Sequence, residues 1–449
     1  MLVNRKDRAA VKELDYDVVV IGGGIAGVSA ACAAAAAGSR TLLVESSGAL
    51  GAVVTMGPLE ALMTQYDAER KVIGGIADEL ISGLRQLDPS AGNVPDTTGY
   101  CSMIMPYRSE AMKLRLLRML KEHKADYLLE TMLSGVELKD GKISSTYLYA
   151  KTGAMRVHAQ AFVDCSGYGI LGYLAGNDIM VGDDSGSCQP VSVLTRWGGI
   201  DRARLVEYVR GHIQDFKSFD GELDLSADKL HLWGFSGALY EGWKNGELSL
   251  KRDEIHVMES TADGEFILNY SRVNINPWDP FEMSRAQLEG SEQVLELLNW
   301  FRKSVPGFEN AEILQSGYVG VRESGRVKGR RILTKEDILA AEGDGTGVAM
   351  GAFPIDIHKG DSGMQFERVL KAYSIPADVL IAESLSNLFM GGRCISSSFE
   401  ANGSCRISLT CAATGQAAGV MAALMAQAPE KWTVKAVQEK LLEQCAIIR

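Results

Sequence analysis

The clearest hydrophobic pattern begins at Asp17, where a polar residue gives way to the unbroken apolar run Val18-Val-Val-Ile21. A short, β-branched, continuously apolar run predicts a parallel strand buried on both faces. Small residues from Ile25 to Ala37 then predict a tightly packed helix, and Thr41-Leu-Leu-Val44 predicts a second buried strand. Further along, Met112, Leu116, Leu117 and Leu120 recur at spacings of three and four, predicting a helix from Ser109, as its cap, to about His123. Strand-like runs follow at Tyr127–Leu138, Ile143–Ala150 and Met155–Ser166, with Asp140-Gly141 as a tight turn between the first two. Near the C-terminus Asn387-Leu-Phe-Met390 predicts another strand. Thr414-Gly415-Gln416-Ala-Ala-Gly419 is expected to open an Ala-rich helix reaching about Ala426. Strands alternating with helices define an α/β class.

The first of these units carries chemistry. Gly22, Gly24 and Gly27 follow the first strand as G-x-G-x-x-G, with Ile25 and Ala26 between them. Gly22 suits the tight turn, Gly24 suits close approach of a pyrophosphate, and Gly27 lets helix and sheet touch. The helix N-terminus offers unpaired N–H groups to phosphate. Glu45 ends the second strand, close to the spacing of about 20 residues for an acid that binds a ribose diol.

Composition narrows the class. The 449 residues are 46% hydrophobic and 23% charged, enough for a large core and against disorder. At about 150 residues per domain this length suggests two or three domains. A net charge of −11 disfavours nucleic acid as a partner. The eight cysteines contain no CxxC, so no metal or iron–sulfur ligand set is expected, and their scatter fits a reducing cytoplasm. Arg5, Lys6 and Arg8 before the apolar stretch from Val18 to Gly38 imitate a targeting signal, but Glu13, Asp15 and Asp17 intervene. The chain is therefore expected to be soluble, with no membrane partner. The 48 glycines against 11 prolines mark places of close backbone approach, concentrated around 22–57, 167–176 and 391–419.

After Glu45 the loop through Gly48, Gly51, Thr55 and Gly57 replaces the third Rossmann unit of an NAD domain. It resembles the segment after the second strand of glutathione-reductase-type flavoproteins, with Ala52 in place of a usual glycine. That resemblance implies FAD, with Gly51 and the Thr55 hydroxyl facing the cofactor. None of the six histidines lies in this loop, so the FAD is expected to be non-covalent. A small antiparallel meander inserted after a Rossmann start is similar to FAD domains of this type, which puts Leu133 near the adenine. Ala161-Phe-Val-Asp-Cys-Ser166-Gly167 resembles the second flavoprotein signature. The continuation Gly167-Tyr-Gly169-Ile-Leu-Gly172 reads better as the chain returning beside the FAD ribose than as a second nucleotide site. Direct use of NAD(P)H is therefore not expected.

Gln189-Pro190, Gly199-Ile-Asp201, Arg322-Glu-Ser324, Arg331–Thr334, Pro354-Ile-Asp-Ile-His358 and Gly392-Arg393 through Gly419 complete the pattern. Together they resemble a bacterial FAD-dependent oxidoreductase family in the fumarate-reductase-flavoprotein-like branch. Gly325 and Gly169 stand where relatives usually carry an arginine and an acid. The resemblance implies a Rossmann-type FAD domain from 1–187 and 377–449, with a substrate domain at 188–376 packed over the flavin. It also implies flavin contact at Gly392 and Arg393. The helix opening at Gly415 and Gln416 would face the flavin N1–C2=O edge.

Substrate oxidation requires a base and an anchor. His358 shares a strand face with Asp356 and is the candidate base. Arg406 and Arg322 are the candidate anchors for a carboxylate or a developing anion, with ion pairs to Glu400 or Glu323 as the alternative. Trp197, Trp233, Trp243, Trp278 and Trp300 are core residues or, for one or two, a stacking wall for a sugar. The expected activity is hydride transfer from a small polar alcohol, sugar or amine onto FAD, with an unidentified electron acceptor. A C=C reductase and an electron-transfer subunit are the rivals, and homo-oligomerisation stays open.

Overall fold

Branched side chains from Val18 to Ile21 are all buried, so the chain runs there as the central strand of a five-stranded sheet. The order is Leu388–Met390, Ala161–Asp164, Val18–Ile21, Thr41–Val44 and Asp126–Leu128, all parallel. The computed structural model describes residues 11–360 and 363–449. Arg5, Lys6 and Arg8, read above as imitating a targeting signal, lie outside the described residues.

Two helices of small residues cover one another beside this sheet, Ile25–Ala36 and Ser408–Gln427. A Cβ on Gly415 would lie 2.1 Å from the Ala26 carbonyl oxygen, and one on Gly419 would lie 2.1 Å from that of Ala30. Only glycine permits that crossing. Among the described residues Ser408–Gln427 alone is long and apolar enough to cross a membrane, yet 83% of its apolar window is buried within the protein.

The helix Ser109–His123 forms where the periodicity predicts it. Ser109 is its first residue rather than its cap; its N–H donates to the Glu60 carboxylate at 2.9 Å. The predicted run Tyr127–Leu138 divides. Asp126–Leu128 joins the parallel sheet, Glu130 turns with φ +51°, and Met132–Lys139 begins a meander. The meander continues through Lys142–Ala150 and Gly153–His158, and Lys12–Asp15 pairs with its last strand. The predicted run Met155–Ser166 divides likewise, with Ala161–Asp164 entering the parallel sheet.

A second, antiparallel sheet has the order His231–Gly234, Ile255–Glu259, Phe266–Asn269, Ser192–Gly198 and Glu312–Gly320. With the long helix Pro280–Ser304 it encloses its own core of Trp197, Leu205, Leu232, Val257, Leu268 and Phe301. The residues of this core run from Trp197 to Ile313. Val327, Leu333, Val348, Ile357 and Ile375 pack instead with the parallel-sheet core. The separate core thus lies within the expected 188–376 segment, whose C-terminal part packs on the parallel-sheet side.

Candidate active site

The C-terminal ends of Val18–Ile21, Thr41–Val44 and Ala161–Asp164 open into a cavity of about 560 Å³ that continues beneath the second sheet. At the strand end, Gly22 turns with φ +102°, and a Cβ there would lie 2.4 Å from the Cys165 carbonyl oxygen. Gly24, Ile25 and Ala26 line the cavity. The helix starting at Ile25 has no side-chain cap and no acid in its first turn. Its free N–H groups and positive dipole end therefore favour an anion. Glu45 and Leu133 also line the cavity. The Glu45 carboxylate accepts from the Gly23 N–H at 2.6 Å and the Ser47 N–H at 2.7 Å, which fixes it at the end of its strand. Gly51 reaches the wall too; its N–H donates to the Gly23 carbonyl at 2.8 Å. Gly167, Gly392 and Arg393 close the opposite side. Arg393 donates to the Gly167 and Val321 carbonyls and lies over the Tyr168 ring, so its guanidinium ties segments together there.

Four expected cofactor residues lie elsewhere. Gly27 packs inside the first turn, where a Cβ would overlap the Gly22 carbonyl oxygen at 1.7 Å. Thr55 is fully buried and donates to the Leu50 carbonyl at 2.6 Å, so its hydroxyl serves the loop and not the cavity. Gly415 and Gln416 sit two turns inside their helix, which begins at Ser408 rather than Thr414. Gly415 meets Ala26, and the Gln416 side chain accepts from the Ile76 N–H at 3.2 Å. Ser408 and Cys411 are the residues of that helix that reach the cavity.

Under the second sheet the wall turns polar. Period-two alternation aims Ser192, Leu194, His256, Met258 and Asn269 at the cavity, while Val257 and Leu268 face the other core. Arg322 is 8% exposed and lines this wall. It donates to the Pro190 carbonyl at 2.7 Å, the Ser192 hydroxyl at 2.8 Å and Asn269 Oδ1 at 3.2 Å. These acceptors are neutral, and among the described residues Arg322 forms no ion pair. Arg326, not Arg322, pairs with Glu323. Burial, with Arg272 and Arg406 nearby, pushes the Arg322 pKa well down.

Arg406 pairs with Asp356 at 3.4 Å rather than with Glu400, and its Nε has no partner among the described residues. Burial opposes ionisation of Asp356, but His358, Arg406 and Arg322 outweigh it and hold the carboxyl below its ordinary range. His358 Nε2 lies 3.1 Å from Asp356, and Nδ1 lies 2.6 Å from the Arg272 guanidinium. Burial lowers the His358 pKa to about 3, against Asp356 and with Arg322. His256 is also pushed well down, by burial first and then by His231 and His358. Its Nε2 is buried without a hydrogen-bond partner among the described residues.

The sequence reading missed His256, and with it a buried pair behind the wall. Asp96 and His231 are fully buried and meet at 2.7 Å. Asp96 also accepts from the N–H groups of Thr98 and Cys101, shaping the loop that carries Tyr100 into the cavity wall. No motif joins positions 96 and 231; only long-range hydrogen bonds from Asp96 and Thr97 to His231 do. The five tryptophans of the inserted region are absent from the cavity lining. Trp197 and Trp233 are fully buried core residues, and Trp300 donates to the Ala238 carbonyl.

An uncapped helix N-terminus in a glycine turn, an acid ending the second strand and a parallel sheet define a dinucleotide-binding class. The chain belongs to the FAD dependent oxidoreductase family, whose model matches residues 17–442. FAD is accordingly its cofactor, and the protein is an oxidoreductase enzyme. No curated protein matches the sequence. Among solved structures, a geranylgeranyl bacteriochlorophyll reductase-like protein from Thermoplasma acidophilum is similar at 14% identity and TM-score 0.51, covering 97% of this chain and 85% of that one. A p-nitrophenol 4-monooxygenase from Pseudomonas putida is similar at 11% identity and TM-score 0.50, covering 96% and 84%. Both likenesses establish the fold.

Proposed function

We propose that the protein oxidises a small polar substrate bearing an acidic group, which gives up a hydride and a proton. Bound FAD supplies the two-electron acceptor. Gly22, Gly24, Glu45, Gly51 and the N-terminus of Ile25–Ala36 would hold it. The observation that carries this reading is Arg322: a buried guanidinium at a cavity wall, fixed by three neutral acceptors and, among the described residues, lacking an ion-pair partner. A buried unpaired charge is costly, so the site gains most when an anion arrives. Arg406, with its unpartnered Nε, provides the second cation.

The proton goes to His256. A guanidinium only donates, so His358 Nδ1 accepts from Arg272 and Nε2–H donates to Asp356, leaving no lone pair for substrate. His256 reaches the cavity, burial disfavours its charged form, and its buried Nε2 has no hydrogen-bond partner among the described residues. His358 therefore positions Asp356, which in turn holds Arg406.

Gln189, Pro190, Arg322 and His358 converge: Gln189 Oε1 accepts from the His358 N–H at 3.1 Å, and Pro190 accepts from Arg322. This clustering supports kinship with the fumarate-reductase-flavoprotein-like branch. Eight unpaired thiols fit a cytoplasmic location. The electron acceptor is a separate partner. Anaerobic bleaching of the flavin by a panel of hydroxy acids, amino acids, alcohols and sugars tests the reading. Bleaching by acids supports it; bleaching by neutral sugars or alcohols alone overturns it.

A further inference from the structure

The polar groups beneath the second sheet are interleaved with apolar ones from the same elements. Ile407 follows Arg406. Leu194 lies two residues from Ser192, Met258 two from His256, and Phe353 three from Asp356, all lining the cavity. Met63 and Tyr100 complete that side. Tyr100 is 4% exposed and held rigid by rings on several sides: Phe219 at 5.3 Å, Trp233 at 4.9 Å and Phe353 at 5.4 Å between centroids. Beside the polar groups, this half of the cavity therefore offers contiguous apolar area against which an apolar body can pack.

Resting on the proposed oxidation of an acidic substrate, we infer that the site takes a carboxylate attached to a compact apolar body, such as a ring. The carboxylate sits at Arg322 and Arg406. The apolar body lies against Met63, Tyr100, Leu194, Met258, Phe353 and Ile407. A guanidinium presents donors in a planar fork that matches a carboxylate, and Arg322 arrives already oriented by Ser192 and Asn269. Burial of the apolar body adds affinity in proportion to its area.

The test is equilibrium binding to the oxidised holoenzyme, read as perturbation of the flavin absorbance, with benzoate, cyclohexanecarboxylate, acetate, benzamide and glucose as probes. Benzoate and cyclohexanecarboxylate are expected to bind about 30-fold or more tightly than acetate. Benzamide, which keeps the ring and loses the charge, is expected about 10-fold or more weaker than benzoate. Glucose is expected to leave the spectrum unchanged. Arg322→Met is expected to weaken benzoate about 10-fold or more while leaving benzamide unchanged, with Arg322→Lys between. Acetate equal to benzoate, benzamide equal to benzoate, or tight glucose binding each overturns the inference. If Arg322→Met loses FAD, the wild-type series alone decides. Binding needs no turnover, so it separates this inference from the oxidation itself. Tight benzoate with no bleaching by any acid sinks only the reaction; bleaching by acids with benzoate no tighter than acetate sinks only the apolar body.

Discussion

His358 Nδ1 lies 2.6 Å from the Arg272 guanidinium, a group that can only donate. That contact fixes the tautomer and takes the lone pair a base would use. His358→Gln is therefore expected to retain FAD and to change kcat less than about 10-fold. His256→Gln, also retaining FAD, should lower kcat about 100-fold or more, within the range for general bases. Steady-state rates on the acid found by flavin bleaching check both. Equal losses in the two variants would return the proton to His358.

The same burial makes stability depend on pH. The unfolded chain protonates His358 near pH 6.5, whereas the folded chain keeps it neutral down to about 3. Below 6.5 the unfolded state binds more protons, so stability falls as pH falls, between about 6.5 and 3. His358 alone should make the protein about 2 kcal/mol less stable at pH 5 than at pH 7, with His256 adding in the same direction. Denaturant unfolding at the two pH values, for wild type and His358→Gln, measures the difference. An unchanged slope in the variant contradicts the assignment.

Gly415 meets the Ala26 carbonyl where no side chain fits. Gly415→Leu is expected to cost about 3 kcal/mol by forcing the two helices apart, and to weaken FAD retention because Ala26 lines the cavity. The melting temperature and the flavin-to-protein absorbance ratio report the two effects. A variant that melts like wild type and keeps its flavin would mean that the crossing tolerates bulk.

Asp96 and His231 tie the loop bearing Tyr100 to the edge of the second sheet. Asp96→Asn removes the charge opposite His231 and is expected to destabilise the fold by about 3 kcal/mol. It should also change the near-ultraviolet dichroism of the cluster around Tyr100 and weaken benzoate binding. Unaltered dichroism with full loss of stability would separate the pair from the cavity.

Local signals were readable in sequence. The turn at Gly22, the acid at Glu45 and the helix Ser109–His123 each depend on neighbours a few residues away. The start of the C-terminal helix was not readable, because Ile407 occupies its cap position without a side-chain hydrogen bond and leaves no sequence mark. The break at Glu130 was hidden for a similar reason: a glutamate takes positive φ there, with no glycine or proline to announce it. His256 was passed over because its importance comes from cross-strand neighbours, Trp233 and Asn269, set by sheet registry. Gly415 is a place of close approach, as the glycine excess predicts, and the element approaching it is the helix Ile25–Ala36.

The contact of Ala26 with Gly415, and of strand Leu388–Met390 with Ala161–Asp164, joins the first and last portions of the chain. During synthesis the nucleotide turn emerges early, yet its surroundings are finished only after the helix containing Gly415 leaves the ribosome. Closing so long a loop is slow, and until it closes the side of Ile25–Ala36 that meets Ser408–Gln427 stays uncovered. The helix Ile25–Ala36, which opens the nucleotide turn, is thus complete in its packing only once residues 408–427 have folded against it.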